Sequence, residues 1–350
     1  AVPAGGVVQG TVTDYNDRLP LAGATVRARR GNNVFRVTTT AADGSYRLAL
    51  PLGRFTIEAT ATNYATGTTT VVVDTPGQTI TRTFALRTAR GVVTPTSLEY
   101  LVPPGLSREK TITLRNTGSV PMTWQASAPV PWLNGLPPTA GTVAPGGSQR
   151  IRLVVNAAGL AAGIYNTTVL VQTSSGRQAD LRISVRLVVS GYFVGVNAGG
   201  NGYTDSAGDY WWADQPYRRG SWGYTNSGST TARTNRPIAG TTDDLLYQDL
   251  RSNPIEYRFD GLPVGVYEID LRFAEVTARA PNTRLADVIA ENVILLPAHD
   301  IANEVGSFAA DQHVFYVRVT DGQLNLRFVE RYRFDRPIVN AIQVIHRPDR

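Results

Sequence analysis

Short runs in which apolar and polar residues alternate fill this chain, and they constrain its fold more than any other feature. "VVQGTVT" (7–13), "ATVRARR" (24–30), "VFRVTTT" (34–40), "YRLAL" (46–50) and "RFTIEAT" (54–60) all keep a period of two. Successive side chains of a strand leave on opposite faces, so this period describes half-buried strands. Almost no segment spaces its apolar residues as a helix would. Gly, Pro, Asp and Asn separate the runs: "ADGSY" (42–46) sets Asp43-Gly44 at one reversal, and "LPLG" (50–53) makes another. Strands of this length between such turns predict antiparallel sandwiches, and the expected fold class is all-β. With 350 residues the chain has room for two or three such domains.

Composition removes several function classes. There is no cysteine, hence no disulfide, thiolate nucleophile or cysteine metal site. No uninterrupted apolar run approaches the roughly 18 residues that read as a membrane span, so no membrane insertion is expected. The net charge is +6, yet the arginines alternate with acids and apolar residues, as in "VRARR" and "ERYRFDR". A nucleic-acid partner would call for a basic stripe at phosphate spacing, and none is expected. Lys110 is the only lysine, which excludes a fibre locked by a Lys–Asn isopeptide bond in each domain. The opening "AVPAGGVVQG" lacks a basic and then apolar leader, and reads as the trimmed start of an exported protein.

Motifs then suggest relatives. "GTVTD" (10–14), "LPLAGATV" (19–26), "TTAADGSYRLALPLGRFTIEATATNY" (39–64) and "RTFALR" (82–87) resemble the carboxypeptidase regulatory-like domain. That resemblance implies a small transthyretin-like β-sandwich over residues 1–90, without catalytic residues, in which Gly44 makes a hairpin and Tyr46 and Phe55 pack. After a linker, "RTARGVVTPTSL" (87–98), the pieces "NTGSVPMTW", "PWL", "GTVAPGGSQ" and "AAGLAAGIYNTTV" resemble bacterial Ig-like domains, implying a second sandwich over 91–190. Trp124 and Trp132 are assigned to its packing.

From residue 191 to 350, "VNAGG" (196–200), "YWWAD" (210–214), "DLLYQDLR" (244–251), "YRFDGLPVGVYEIDLRFAEV" (257–276), "DGQLNLRF" (321–328) and "DRPIVNAIQV" (335–344) follow in the order of malectin and malectin-like carbohydrate-binding modules. The resemblance implies a jelly-roll sandwich that binds oligosaccharide in loops at one end. Three tandem β-sandwich domains result. The stretch "GDYWWADQPYRRGSWGYTN" (208–226) holds three of the five tryptophans. Flat rings stack on the C–H faces of sugars, while Asp, Asn and Arg pair with sugar hydroxyls. Trp211 and Trp212 are assigned to pinning this loop; Trp222 and Tyr224, flanked by glycines, to an exposed sugar platform.

Carried over residue by residue, the resemblance places a binding aspartate at Asp335, before Pro337. Where malectin has a tyrosine after the arginine of "LYQxxR", this chain has Ser252; where it has Tyr-Phe after "FAEV", this chain has Thr277-Ala278. The candidate carbohydrate-binding residues are therefore Trp222, Tyr224, Ser252 and Asp335, and a maltose-type ligand is not expected. Phe273 is expected in the core, Tyr247 on a strand, and Glu275 hydrogen-bonded to backbone, holding loops. No catalytic set is convincing: Glu275 with Asp335 is a pair of acids the sequence leaves open, but the resemblance implies lectins, not enzymes. No cofactor is expected. His299, His313 and His346 are read as scattered, without a metal site; "TDYND" (13–17) and "TTDDLL" (241–246) are read as Asp-rich turns rather than calcium loops. The expected function is non-catalytic glycan binding by part of a secreted or surface bacterial protein. Its rival is a filament or adhesin subunit assembling by strand addition at sheet edges or through the extended N-terminal segment.

Overall fold

In a computed structural model, residues 5–134, 138–253 and 255–350 are described. Apart from two four-residue helices, Leu245–Gln248 and Ile301–Glu304, their regular elements are strands, as the period of two requires. The chain falls into two compact units. One comprises the segments up to Glu99, Arg108–Asn156 and Asn166–Arg186; the other Tyr100–Ser107, Ala157–Tyr165 and Leu187–Arg350.

In the first unit, one sheet runs in the order Ser45–Pro51, Gly5–Asp14, Thr79–Thr81, with Phe84–Leu86 also on Gly5–Asp14. A second runs Asn33–Thr39, Thr25–Arg30, Gly53–Thr60, Gly67–Val73. Their inward positions (Val8, Val12, Val26, Leu48, Phe55, Ile57 and Val71 among them) make one core, to which Tyr46 also belongs. Gly44 has φ +77°, and a Cβ there would meet the Val12 carbonyl oxygen at 2.6 Å, so the reversal needs glycine. The Asp43 carboxylate accepts from the Ser45 N–H at 2.9 Å and fixes the turn.

Two expectations change here. The N-terminal strand is no free donor for a neighbour: Gly5–Asp14 pairs with Ser45–Pro51 on one side and with Thr79–Thr81 and Phe84–Leu86 on the other. The linker shrinks to residues 87–90, because Gly91–Thr94 is already a strand. Even those residues are held, by bridges from Thr88 to Tyr64 and from Ala89 to Ser175. The acidic turn at 13–17 is satisfied by arginines: Asp17 pairs with Arg90 and with Arg177 at 2.9 Å, while the fully buried Asp14 accepts from the Tyr64 hydroxyl at 2.9 Å.

Among the described residues, strands between Gly91 and Val189 form two further sheets, of five and four strands. Trp124 and Trp132 are both buried, in line with packing roles.

The last 160 residues form a sandwich whose larger sheet runs Tyr203–Thr204, Tyr210–Ala213, Phe193–Asn197, Ala341–His346, Gly265–Phe273, Asp311–Val319. Facing it is Trp222–Tyr224, Ile255–Asp260, Gln323–Glu330, Ala286–Ala290, Val293–His299. Tyr257, Phe259, Tyr267, Leu271, Phe273 and Phe328 fill the space between. A small third sheet of Thr230–Arg233, Asp249–Ser252 and Ile338–Val339 lies beside them. Pairing register defines two ends. Ala286 faces both Glu330 and His299, and Phe273 faces Asp311, so the loops 274–285, 300–310 and 331–337 leave from one end. Asp260 faces Gln323 at the other.

Candidate functional site

The aromatic-rich stretch is split between the two ends. Within Tyr210–Ala213 the strand period turns Trp211 inward and leaves Tyr210 and Trp212 exposed, their rings in edge contact at 4.9 Å. Trp211 is wholly buried among Ile238, Leu246 and Tyr247; its indole N–H donates to Asp205 at 2.9 Å, and the Arg272 guanidinium covers its ring. Only Trp211 pins the loop. Trp212 does not, because it leaves the strand on the opposite, solvent-exposed face, away from those covering residues.

Asp214, the acid of "YWWAD", sits at the loop end. Its carboxylate accepts from the Gly199 N–H at 2.6 Å, from Arg251 Nε at 2.7 Å and from the Tyr257 hydroxyl at 3.0 Å. Arg251 belongs to "LYQDLR" and is as deeply buried as its partner. Burial works against its charge, but the Asp214 carboxylate outweighs that and holds the guanidinium pKa above its ordinary value. Burial, then Asp214, also pushes the Tyr257 hydroxyl far up. Arg251 lies 3.4 Å from the centre of the Tyr224 ring. Tyr224 is thus half-buried with one face already taken.

Trp222 is half-buried against the core at the opposite end. It faces Phe259, which faces Leu324. Asp335 lies past Glu330, its N–H bonded to the Thr283 carbonyl. Glu330 lies six residue steps along the strand from Leu324, about 20 Å at the usual rise. The expected groove with Trp222 on one wall and Asp335 on the other does not form. Ser252, half-buried, faces Ile338 and so lies at the same end as Asp335.

At that end a chain of alternating charges runs outward. Buried Glu275 accepts from Arg284 Nε at 2.6 Å and faces Arg279 Nε at 3.2 Å; Arg279 also pairs with Asp335, whose side chain is half-exposed. The expected backbone partners of the Glu275 carboxylate are therefore arginines. Its main-chain oxygen does hold a loop, accepting from the Phe308 N–H at 2.9 Å. Arg279 stands between the two acids, and both are engaged by a cation. A rim carboxylate beside a guanidinium offers acceptor and donors for neighbouring hydroxyls. In the turn just before Asp335, Tyr332 is 84% exposed, with Arg333 against its ring at 5.1 Å. Sequence reasoning passed over Tyr332. Its signal was its place in "RYRFDRP", three residues before Asp335.

The histidines are not all scattered. His346 stands apart, taking the Gly191 N–H, but His299 and His313 converge with Asp311 and Glu304. The reason is topological: Val293–His299 and Asp311–Val319 lie in different sheets that meet at the loop end. In "TTDDLL" the acids close turns, Asp243 accepting from the Ser206 N–H and the Tyr203 hydroxyl, and Asp244 from the Ile238 N–H.

Residues 192–342 match the family model of the malectin domain, and residues 7–87 that of the carboxypeptidase regulatory-like domain. The chain carries a malectin domain. It is preceded by a carboxypeptidase regulatory-like domain, in the order that the motifs implied. No curated protein matches the chain. Among solved structures, a Bacteroides uniformis β-glucuronidase is similar at 20% identity over 74% of this chain and 30% of that one, with a TM-score of 0.40. This chain thus spans less than a third of that enzyme. The extracellular domain of ANXUR2 from Arabidopsis thaliana is similar at 10% identity over 97% and 96% of the two chains, TM-score 0.40. A complex of the plant peptide RALF23 with FER and LLG2 is similar at 14% identity over 68% and 81%, TM-score 0.39. Among the described residues no helix is long and apolar enough to cross a membrane.

Proposed function

We propose that the malectin domain binds oligosaccharide or polysaccharide through its loop end, without catalysis, as part of a secreted or surface-exposed bacterial protein. The two preceding sandwiches, bounded near residues 90 and 190, act as spacers. One observation carries this reading: Tyr332, almost fully exposed, lies in the turn that leads directly into Asp335, whose carboxylate is paired with Arg279. An exposed ring supplies a stacking face, and the acid–guanidinium pair supplies hydroxyl partners. Ser252 borders this face, and Tyr224 supports it from beneath through Arg251. Trp222 belongs to the core side. A non-catalytic role is favoured because Glu275 is buried between Arg279 and Arg284. A glycosidase acid must instead meet the leaving oxygen, with its partner carboxylate across the sugar. With Ser252, Thr277 and Ala278 at the family's ring positions, maltose and nigerose should bind weakly.

A glycan array probed with the full chain, followed by titration of the best ligand into Tyr332→Ala, tests the reading. Binding should vanish with Tyr332 while the unfolding midpoint stays put. Undiminished binding in that variant, or hydrolysis of the ligand, would overturn it.

A second reading, assembly into filaments or adhesins, is favoured by one observation. Asn33–Thr39 is an edge strand on which Val34, Phe35 and Val37 are exposed, and an apolar edge is a template for another strand. Sedimentation of the chain beside Val37→Lys tests it: concentration-dependent polymers lost in the variant support assembly, and monomers in both exclude it.

A further inference from the structure

We propose that His299, Glu304, Asp311 and His313 form a structural site for a divalent cation of the zinc class. This does not depend on the glycan reading. His299 Nε2 lies 2.6 Å from one Asp311 carboxylate oxygen, and His313 Nε2 lies 3.0 Å from the other and 3.4 Å from Glu304 Oε2. One donor atom from each of the four residues lies within 4.8 Å of every other. A tetrahedral ion with bonds of about 2.0–2.1 Å would hold its ligand atoms roughly 3.3 Å apart. The contacts of His313 Nε2 at 3.0 and 3.4 Å are close to that separation, and the four groups would have to draw in from at most 4.8 Å to share one ion.

Two further observations point the same way. His313 Nε2 is buried yet makes no hydrogen bond, although two carboxylates stand close to it. A buried ring nitrogen near two acids but aligned with neither is better explained as one of several atoms aimed at a common centre. Phe273 packs against both imidazoles, its centroid 4.6 Å from that of His299 and 6.2 Å from that of His313, and fixes their planes. Held rings of this kind are what a preformed metal site requires.

The donor set selects the ion. Two imidazoles and two carboxylates match zinc and its neighbours, whereas calcium and magnesium favour oxygen throughout. Two negative charges balance a divalent cation. Four protein ligands leave no open position, so the ion is structural, not hydrolytic. It would tie Ile301–Glu304 to the ends of Val293–His299 and Asp311–Val319, strands of opposite sheets. The segment after the helix, at Ser307 and Phe308, bonds Glu275 and Arg279. The ion would thereby brace the loops of the rim.

The test uses the full chain, stripped with a chelator and dialysed. Zn²⁺ titrated by calorimetry should bind stoichiometrically and raise the unfolding temperature; Co²⁺ should give the intense visible absorption of a tetrahedral site. His313→Ala should abolish both signals. Because that variant removes a partly buried ring, Glu304→Gln serves as the second: its side chain is 41% exposed and the change keeps its shape, so the fold should persist and affinity should fall by at least about tenfold. Absence of stoichiometric Zn²⁺ uptake by the stripped chain would overturn the proposal. So would unchanged affinity in both variants, which would place the ion elsewhere.

Discussion

The two ends of the malectin sandwich each carry an aspartate beside an aromatic residue, and they differ in how far the chain itself uses them. At one end Asp260 accepts from the Tyr217 hydroxyl at 2.6 Å, the Gly220 N–H at 2.8 Å and the Gln323 amide at 2.7 Å. Tyr217 is further covered by Arg258. Most of the Asp260 acceptor capacity and one face of the Tyr217 ring are used in internal contacts. At the other end Asp335 keeps a half-exposed carboxylate with one charged partner, and Tyr332 is nearly bare. A carboxylate has room for about four donors; Asp260 has three of them from the chain itself and is a structural knot, while Asp335 retains more capacity for a ligand. Residue type alone does not separate these roles. Unspent hydrogen-bonding capacity does.

The largest effect should come from the buried support under the open end. Asp214→Ala leaves Arg251 as a buried charge without its main partner and removes the acceptor of the Tyr257 hydroxyl. Removing one partner of a buried pair costs about 3–5 kcal/mol. Urea unfolding should show a loss of that order, and one below about 1 kcal/mol would mean that Arg251 finds another acceptor or water. Trp222→Ala should come next. Its ring is half-buried against the core, so roughly half of the 3–5 kcal/mol for a fully buried aromatic is expected, about 2 kcal/mol. Glycan binding should be untouched, since Trp222 lies at the closed end. Tyr332→Ala should reverse both outcomes, shifting stability by no more than about 0.5 kcal/mol while binding is lost. If Trp222→Ala abolished binding and Tyr332→Ala did not, the assignment of the two ends would be inverted.

Much of the fold was legible because it depends on local pattern. The alternation in 7–13 and 46–50 gave strands, and Asp43-Gly44 gave its turn, since these signals need only neighbours in sequence. The site was less legible for a physical reason: burial is decided by distant partners. In "YWWAD" the period of two says that the tryptophans face opposite ways. Only Ile238, Leu246 and Tyr247 decide that Trp211 is the covered one. Glycines around Trp222 suggested a rim, yet Gly223 has φ +150° and is buried in a strand. Asp335 was readable through its motif, whereas its pairing with Arg279 and the exposure of the Tyr332 ring were not. The four-residue cluster at His313 was invisible because its members come from two sheets and a helix. Asp311 and His313, two apart on one strand and so on one face, were the one local hint of shared donors.

The smallest effect concerns pH and separates the closed end by its electrostatics. Burial tends to raise the Asp260 pKa, but donors from Tyr217, Gln323 and Gly220, with help from Arg258, outweigh it and hold the value below the ordinary one. A carboxyl with a depressed folded pKa adds stability that is complete above its unfolded value, near 3.9. That contribution is lost as pH falls through the lower folded value. Asp260→Asn keeps the shape, cannot ionise, and turns an amide N–H₂ toward groups that donate. The variant should be less stable than the parent at neutral pH, and the gap should narrow as pH drops below about 4. Urea midpoints of both proteins at several acid pH values measure it. A gap that stays constant into strong acid would mean that the ionised carboxylate contributes nothing to the knot. Asp260 would then be a hydrogen-bonding spacer, and the contrast with Asp335 would rest on exposure alone.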